Sequence, residues 1–158
     1  METRVIEISD YELERGKPMP SKIHSKIQIL LGCLFLNKYA SRFDFLSELD
    51  VFLNGNKYVP DIAIYRKGIL DFEEDESMVY IAPLAVIEIL SPSQALGDLI
   101  IKMKKYIEGG VKSYWLVVPQ TKTVFLFDSN KEQTTFISGT IKDHETGIEL
   151  QFDEIFKS

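Results

Sequence analysis

The chain has 158 residues, of which 45% are apolar and 27% charged, and it carries a net charge of −6. That length suits one domain spanning 1–158, in which folding hides roughly 68–70% of the unfolded surface, and the composition is that of a soluble globular protein rather than a disordered one. The acidic balance excludes a protein that coats nucleic acid by bulk charge, but not a nuclease, because acidic metal ligands themselves push the balance negative.

The first stretch, METRVIEISDYELERG, has acids where a signal peptide would be apolar, and no run approaches the roughly 18 apolar residues of a membrane span. A cytoplasmic location away from membranes is expected. After Pro18 and Pro20, residues 21–40 place Ile23, Ile27, Leu30, Leu31 and Leu34 on one stripe at helical spacing. Cys33 lies in this run, has no cysteine to pair with and no zinc-like spacing, and is expected to be a small buried hydrophobe. Next, FLSELDVFL and KYVPDIAIY flank Asn54-Gly55-Asn56, a strong hairpin signal. The acidic GILDFEEDESMVY reads as a solvated loop. YIAPLAVIEIL lacks polar alternation apart from its glutamate, so it predicts a strand covered on both faces, with Pro83 at its entry.

Ser91-Pro92-Ser93 offers a serine cap for a helix over SQALGDLIIKMKKYIEGG, with Leu96, Leu99, Ile100, Met103 and Ile107 on one face and Gly109-Gly110 as the stop. SYWLVV, a turn at Pro119–Lys122 and TVFLFD predict a further strand pair. TTFISGTI and GIELQF predict two more strands before a short helical tail, DEIFKS. This order specifies an α/β or α+β fold around one mixed sheet.

Asp61, in VPDIAIY, and Glu88, in VIEIL, are the informative residues. Each stands among apolar neighbours in an extended run, where an isolated charge is costly and must be neutralised, paired or employed. Two carboxylates about 4 Å apart on adjacent strands would repel by roughly 4 kcal/mol at an effective dielectric near 20. A divalent cation turns that repulsion into attraction, and Mg²⁺ is commonly held by one or two carboxylates with water and phosphate completing the shell. Lys102 and Tyr106 lie together at one flank of the following helix, Tyr106 as a packing residue whose hydroxyl at the rim is a candidate substrate contact, with Asp98 one turn earlier as a group that could hold Lys102. Glu48, on the hairpin partner of the Asp61 strand, is a candidate further ligand. His24, at the edge of its helical stripe, is a candidate for binding phosphate or shuttling a proton. Ser93 stands where the positive end of a helix could meet a phosphate.

The set Pro60-Asp61, Glu88 in VIEILSPS, then Asp98, Lys102, Tyr106 and GGVKSYWLV resembles the Uma-two family of endonucleases, in the PD-(D/E)xK superfamily with its restriction-endonuclease-like fold. The resemblance runs from about Tyr11 to Pro119. It implies a metal-dependent phosphodiesterase site acting on nucleic acid, with DNA the expected substrate. Asp61, Glu88 and the backbone carbonyl of Ile89 are the implied ligands of Mg²⁺ or Mn²⁺. Where the superfamily has a lysine two residues after the glutamate, this chain has Leu90, and Lys102 from the helix is the natural replacement. A second departure is Val118, where the family usually shows an aspartate before the proline.

Two other classes stand beside the nuclease. One is a nuclease-fold module that binds nucleic acid or protein with little chemistry, consistent with the absence of a dense basic stripe. The other is a structural partner, which predicts an exposed apolar patch around Trp115, Phe125 and Phe127. A homodimer would make cutting of both strands convenient.

Overall fold

A computed structural model describes residues 8–157. Asn54 and Gly55, both at positive φ (51° and 79°), form the two-residue turn that joins β2 (Asp50–Leu53) to β3 (Asn56–Tyr58). Further from the turn the same two arms pair again, as β1 (Phe43–Ser47) against β4 (Ile62–Arg66), with Ser47 opposite Ile62. The expected hairpin is therefore present but broken in the middle. One arm bends at Glu48, whose φ is 53°, and the other at Pro60, which has no amide hydrogen to give the ladder. The break lets the two halves enter different sheets.

The inner half joins a six-stranded mixed sheet in the order β1-β4-β6-β7-β8-β9, where β6 is Ala85–Ile89, β7 Ser113–Val118, β8 Thr123–Phe127 and β9 Gln133–Phe136. β6 lies antiparallel to β4 and parallel to β7, and every residue of it is buried, as its unbroken apolar run predicts. The outer half, β2 and β3, forms a small sheet with β5 (Met78–Val79). The acidic segment between β4 and β5 is an exposed loop, as expected.

Two helical layers sandwich the large sheet. On one face α2 (Lys22–Tyr39) and α4 (Phe152–Phe156) pack against Ile62, Ile87, Ile89, Trp115 and Val117. On the other α3 (Leu96–Glu108) packs against Val86, Tyr114 and Leu116. A two-stranded ribbon of β10 (Thr140–Lys142) and β11 (Glu149–Gln151) completes the C-terminal part.

Several expectations change in detail. The buried line of α2 is His24, Ile27, Leu31 and Phe35, so the helix is rotated inward from the predicted stripe, leaving Ile23 exposed and Cys33 at the surface. α3 begins at Leu96 with Ala95 as a cap that makes no side-chain bond; Ser91 is buried in the preceding turn and Ser93 caps nothing. TTFISGTI divides at Gly139, which sits at φ 74°, into β9 and β10. The aromatic patch is absent, because Trp115 and Phe127 are buried and β9 covers the edge of β8. A helix not expected, α1 (Asp10–Arg15), is held by a reciprocal Ser9–Glu12 capping box.

The two glycines of α3 and its end give opposite expectations. A methyl at Gly109 would lie 2.8 Å from Leu53 Cβ, so Gly109→Ala should destabilise by about 1–3 kcal/mol through overpacking. A methyl at Gly97 meets nothing within 4 Å, and Gly97→Ala should stabilise by about 0.5 kcal/mol. Urea denaturation of both variants checks the pair.

Candidate active site

Between β4 and β6 the ladder pairs Ile62 with Ile87 and Ala63 with Val86. Carried one step further, this register faces Asp61 with Glu88 at the end of two central strands. Asp61 is fully buried and Glu88 is 1% exposed. The fold thus brings together the two acids that the sequence singled out.

Asp61 is held by three groups. Its Oδ1 accepts a hydrogen bond from the Lys17 ammonium, and its Oδ2 accepts one from the Ile89 amide at 2.7 Å and lies 3.0 Å from His24 Nε2. Its backbone carbonyl accepts from Gln28 Nε2 at 3.2 Å. Burial works against ionisation of Asp61, but the His24 hydrogen bond and the Lys17 charge outweigh it and hold the carboxyl below its usual range. Lys17 is itself buried, and donates also to the Val59 carbonyl at 3.0 Å. Burial disfavours its charge, yet Glu88, Asp61 and Glu48 together raise its pKa, so it stays an ammonium.

Glu88 is less well compensated. Burial first, and then the charge of Asp61, push its carboxyl up to about 7, against the opposing pull of Lys102, Lys17 and the Tyr106 hydroxyl. Tyr106 donates to Glu88 Oε1 at 3.2 Å, and Lys102 Nζ lies 3.9 Å from the same oxygen. Lys102 thus has Glu88 as its ion-pair partner; Asp98 is exposed at the rim of the same cleft.

Two of the predicted substrate contacts lie deeper than expected. Tyr106 is fully buried among Tyr58 and Tyr114, and burial lifts its phenol well above the ordinary value, so it positions Glu88 instead of meeting substrate. His24, 3% exposed, faces inward to Asp61. Ser93 does lie at the surface, in a cleft of about 470 Å³ that Lys17, Asp98 and Lys102 also line. Glu48 stands above Lys17, with Oε1 3.9 Å from Lys17 Nζ and 3.2 Å from Arg15 Nη2, and its side chain is more than a third exposed. Lys17 and Gln28 are the residues that sequence reasoning missed. Lys17 falls between Gly16 and Pro18 in an aperiodic break, where only the unpaired charge of Asp61 could have prompted a search for it.

Two carboxylates and a backbone carbonyl are the kind of oxygen donors a hard divalent cation takes. Among the described residues no group of three or more His, Cys, Asp or Glu side chains could hold a metal ion, so the protein would supply two carboxylates and a carbonyl, with water or phosphate filling the rest. Ile89 points its amide at Asp61, and the carbonyl of a strand residue points to the same edge as its amide. A carboxyl poised at about 7 is short of positive charge, which such an ion supplies. Asp61 already accepts on both oxygens, so it would retain little spare capacity unless Lys17 yields.

A family model, Uma2, described as "Putative restriction endonuclease", matches residues 2–153. The chain belongs to the Uma2 family. Its fold is similar to that of a solved structure described as a "putative nuclease belonging to DUF820" from Anabaena variabilis ATCC 29413, with a TM-score of 0.78 at 24% identity, covering 88% of this chain and 83% of the other. A search of curated proteins gave no match. The Uma2 family description makes nucleic acid the substrate class of the family. Among the described residues no helix is long and apolar enough to cross a membrane.

The electrostatics predict two measurable effects on the metal-free protein. The folded carboxyl of Glu88 titrates at about 7 against 4.5 for the free group, so the folded state binds this proton more tightly. The associated stability is complete below about 4.5 and is lost as pH rises through 7, whereas the contribution of Asp61, whose pKa is lowered, is lost only as pH falls below 3.8. Glu88→Gln has no proton to lose and should gain about 2–3 kcal/mol over wild type between pH 5 and pH 8 in urea titrations. Lys17→Met leaves Asp61 short of its cation and should cost about 3 kcal/mol at neutral pH.

Proposed function

We propose that the chain is a metal-dependent endonuclease that hydrolyses phosphodiester bonds in DNA. The observation that carries this reading is the juxtaposition of Asp61 and Glu88 across β4 and β6, with the Ile89 backbone beside them and Lys102 over Glu88. Asp61, Glu88 and the Ile89 carbonyl would hold Mg²⁺ or Mn²⁺. Such an ion, when bound, polarises a phosphoryl oxygen and lowers the pKa of water.

The chain's own groups do the rest. Lys102, partly exposed in the cleft, orients the attacking water or steadies the charge that develops on the phosphate. Tyr106 fixes the Glu88 carboxylate from beneath, and His24 with the Ile89 amide fixes that of Asp61. Water adds to phosphorus, the bond to the leaving oxygen breaks, and that oxygen takes up a proton.

A second reading, a nuclease-fold module that binds without cutting, is favoured by one observation: both oxygens of Asp61 are already engaged by the protein. The experiment that separates the two is Mn²⁺ and Mg²⁺ titration calorimetry on wild type, Asp61→Asn and Glu88→Gln, followed by cleavage of plasmid and single-stranded DNA. The nuclease reading expects metal binding that both substitutions abolish and cleavage that falls with it. Lys102→Met should retain the metal and lose about 10²–10³-fold in cleavage rate. A folded wild type that binds neither ion, with or without DNA, would sink the nuclease reading.

A further inference from the structure

Beside the cleft runs a second depression, of about 620 Å³, between the first turns of α2, the Leu90–Pro92 segment after β6, the Pro119–Lys122 turn and the end of α4. Its rim carries Lys22, Lys26, Lys122 and Lys157, and no acidic residue lines it. That is a local reversal of sign in a chain whose net charge is −6. Elsewhere Lys17, Lys57, Lys67, Lys102, Lys131 and Lys142 each lie beside a carboxylate, while among the described residues Lys38, Lys104, Lys105 and Lys112 do not, but none of these ten lines the groove. Among the described residues none of the four rim lysines lies within ion-pair distance of one. Lys122 is held at φ 48°, a left-handed conformation that glycine or asparagine adopts at lower cost.

The floor has different chemistry. Ile23, more than half exposed, lies with Pro92, Pro119, Ile155 and Phe156 beneath the lysines. The groove and the active-site cleft share no lining residue but adjoin at one turn of chain, where Pro92 lines the groove and the next residue, Ser93, lines the cleft. A polymer that occupied both would cross this Pro92–Ser93 turn to reach Lys102.

We infer that this groove binds an unpaired segment of a DNA strand and delivers it to the cleft, a reading that rests on the nuclease proposal above for the cleft's role. Lysines at the rim neutralise phosphates, and the apolar floor with Phe156 receives base faces. A duplex hides its base faces and offers only backbone, so it would leave the floor without a partner. Charge complementarity and the apolar floor together select the single strand.

The test is fluorescence anisotropy in EDTA, with a short labelled oligothymidine and a duplex of equal length as probes. Wild type should bind the single strand more tightly than the duplex, with an affinity that falls steeply with salt. Lys22→Glu combined with Lys122→Glu should weaken single-strand binding at least roughly tenfold and flatten the salt slope by about 1.4. Lys38→Glu, at the exposed far end of α2, should change neither. Lys22→Gln with Lys122→Gln serves as the milder variant if the reversal fails to fold, as judged by circular dichroism. Mn²⁺ calorimetry on the same variants should be unchanged, because the groove lysines touch neither Asp61 nor Glu88. Wild type that binds Mn²⁺ but no oligonucleotide at about 100 µM overturns the groove and leaves the metal reading standing. Single-strand binding lost in the lysine variants, in a protein that binds no metal, upholds the groove while the nuclease reading fails. Undiminished binding by the variants, or a duplex bound as tightly as the single strand, overturns it.

Discussion

A buried carboxylate needs a counter-charge, and the placement of Asp61 at the end of β4 organises much of the surrounding structure. Lys17 comes to it from the segment before α2, His24 from α2, and the Ile89 amide from β6. Three separate pieces of chain are thereby fixed to one side chain, and the rotation of α2 that buries His24 in place of Ile23 follows from that fixation. A solely apolar core would have left the helix free to present its isoleucine.

The protein contains a useful internal comparison. Asp143, also buried, accepts hydrogen bonds from Ser113, the Trp115 indole and the Glu145 amide, all of them neutral donors. No second acid confronts it, and it ties the C-terminal ribbon to β7. Asp61 and Glu88 are instead set against each other, with Lys17 and Lys102 as their ammonium partners, and it is those two lysines, not the buried acids, that line the cleft. Burial of an acid alone therefore does not mark a reactive site. What separates the two sites is the second acid, whose carboxyl is pushed up to about 7 by burial and by the charge of Asp61.

What the sequence disclosed follows from how local each signal was. The β6 run, the Asn54-Gly55 turn and most of the apolar face of α3 are written in consecutive residues, and their elements formed, although α3 starts only at Leu96, which is itself exposed. Asp61 and Glu88 could be singled out because a charge in an apolar strand is itself an anomaly, and the family pattern supplied the pairing. Lys17 was illegible for the converse reason: a lysine in a Gly-Lys-Pro break is ordinary until the fold places Asp61 beside it. Tyr106 was misplaced because a helical wheel gives direction but not depth, and the aromatic cluster of Tyr58, Tyr106 and Tyr114 draws it inward. The serine cap failed because Ser91 faces the interior, and its amide is satisfied by Gln94 instead.

The separation of Lys17 from Asp61 along the chain also bears on the order in which the molecule forms. The two residues are 44 positions apart, whereas Asp61 and Ile89, at the ends of the paired strands β4 and β6, are 28 apart. Closing the longer loop carries the larger entropic cost, and α1, with no buried residue of its own, offers little hydrophobic return for early docking. Loop closure and the bare helix both favour pairing of the sheet before the ammonium docks, and only that docking gives the buried Asp61 its counter-charge.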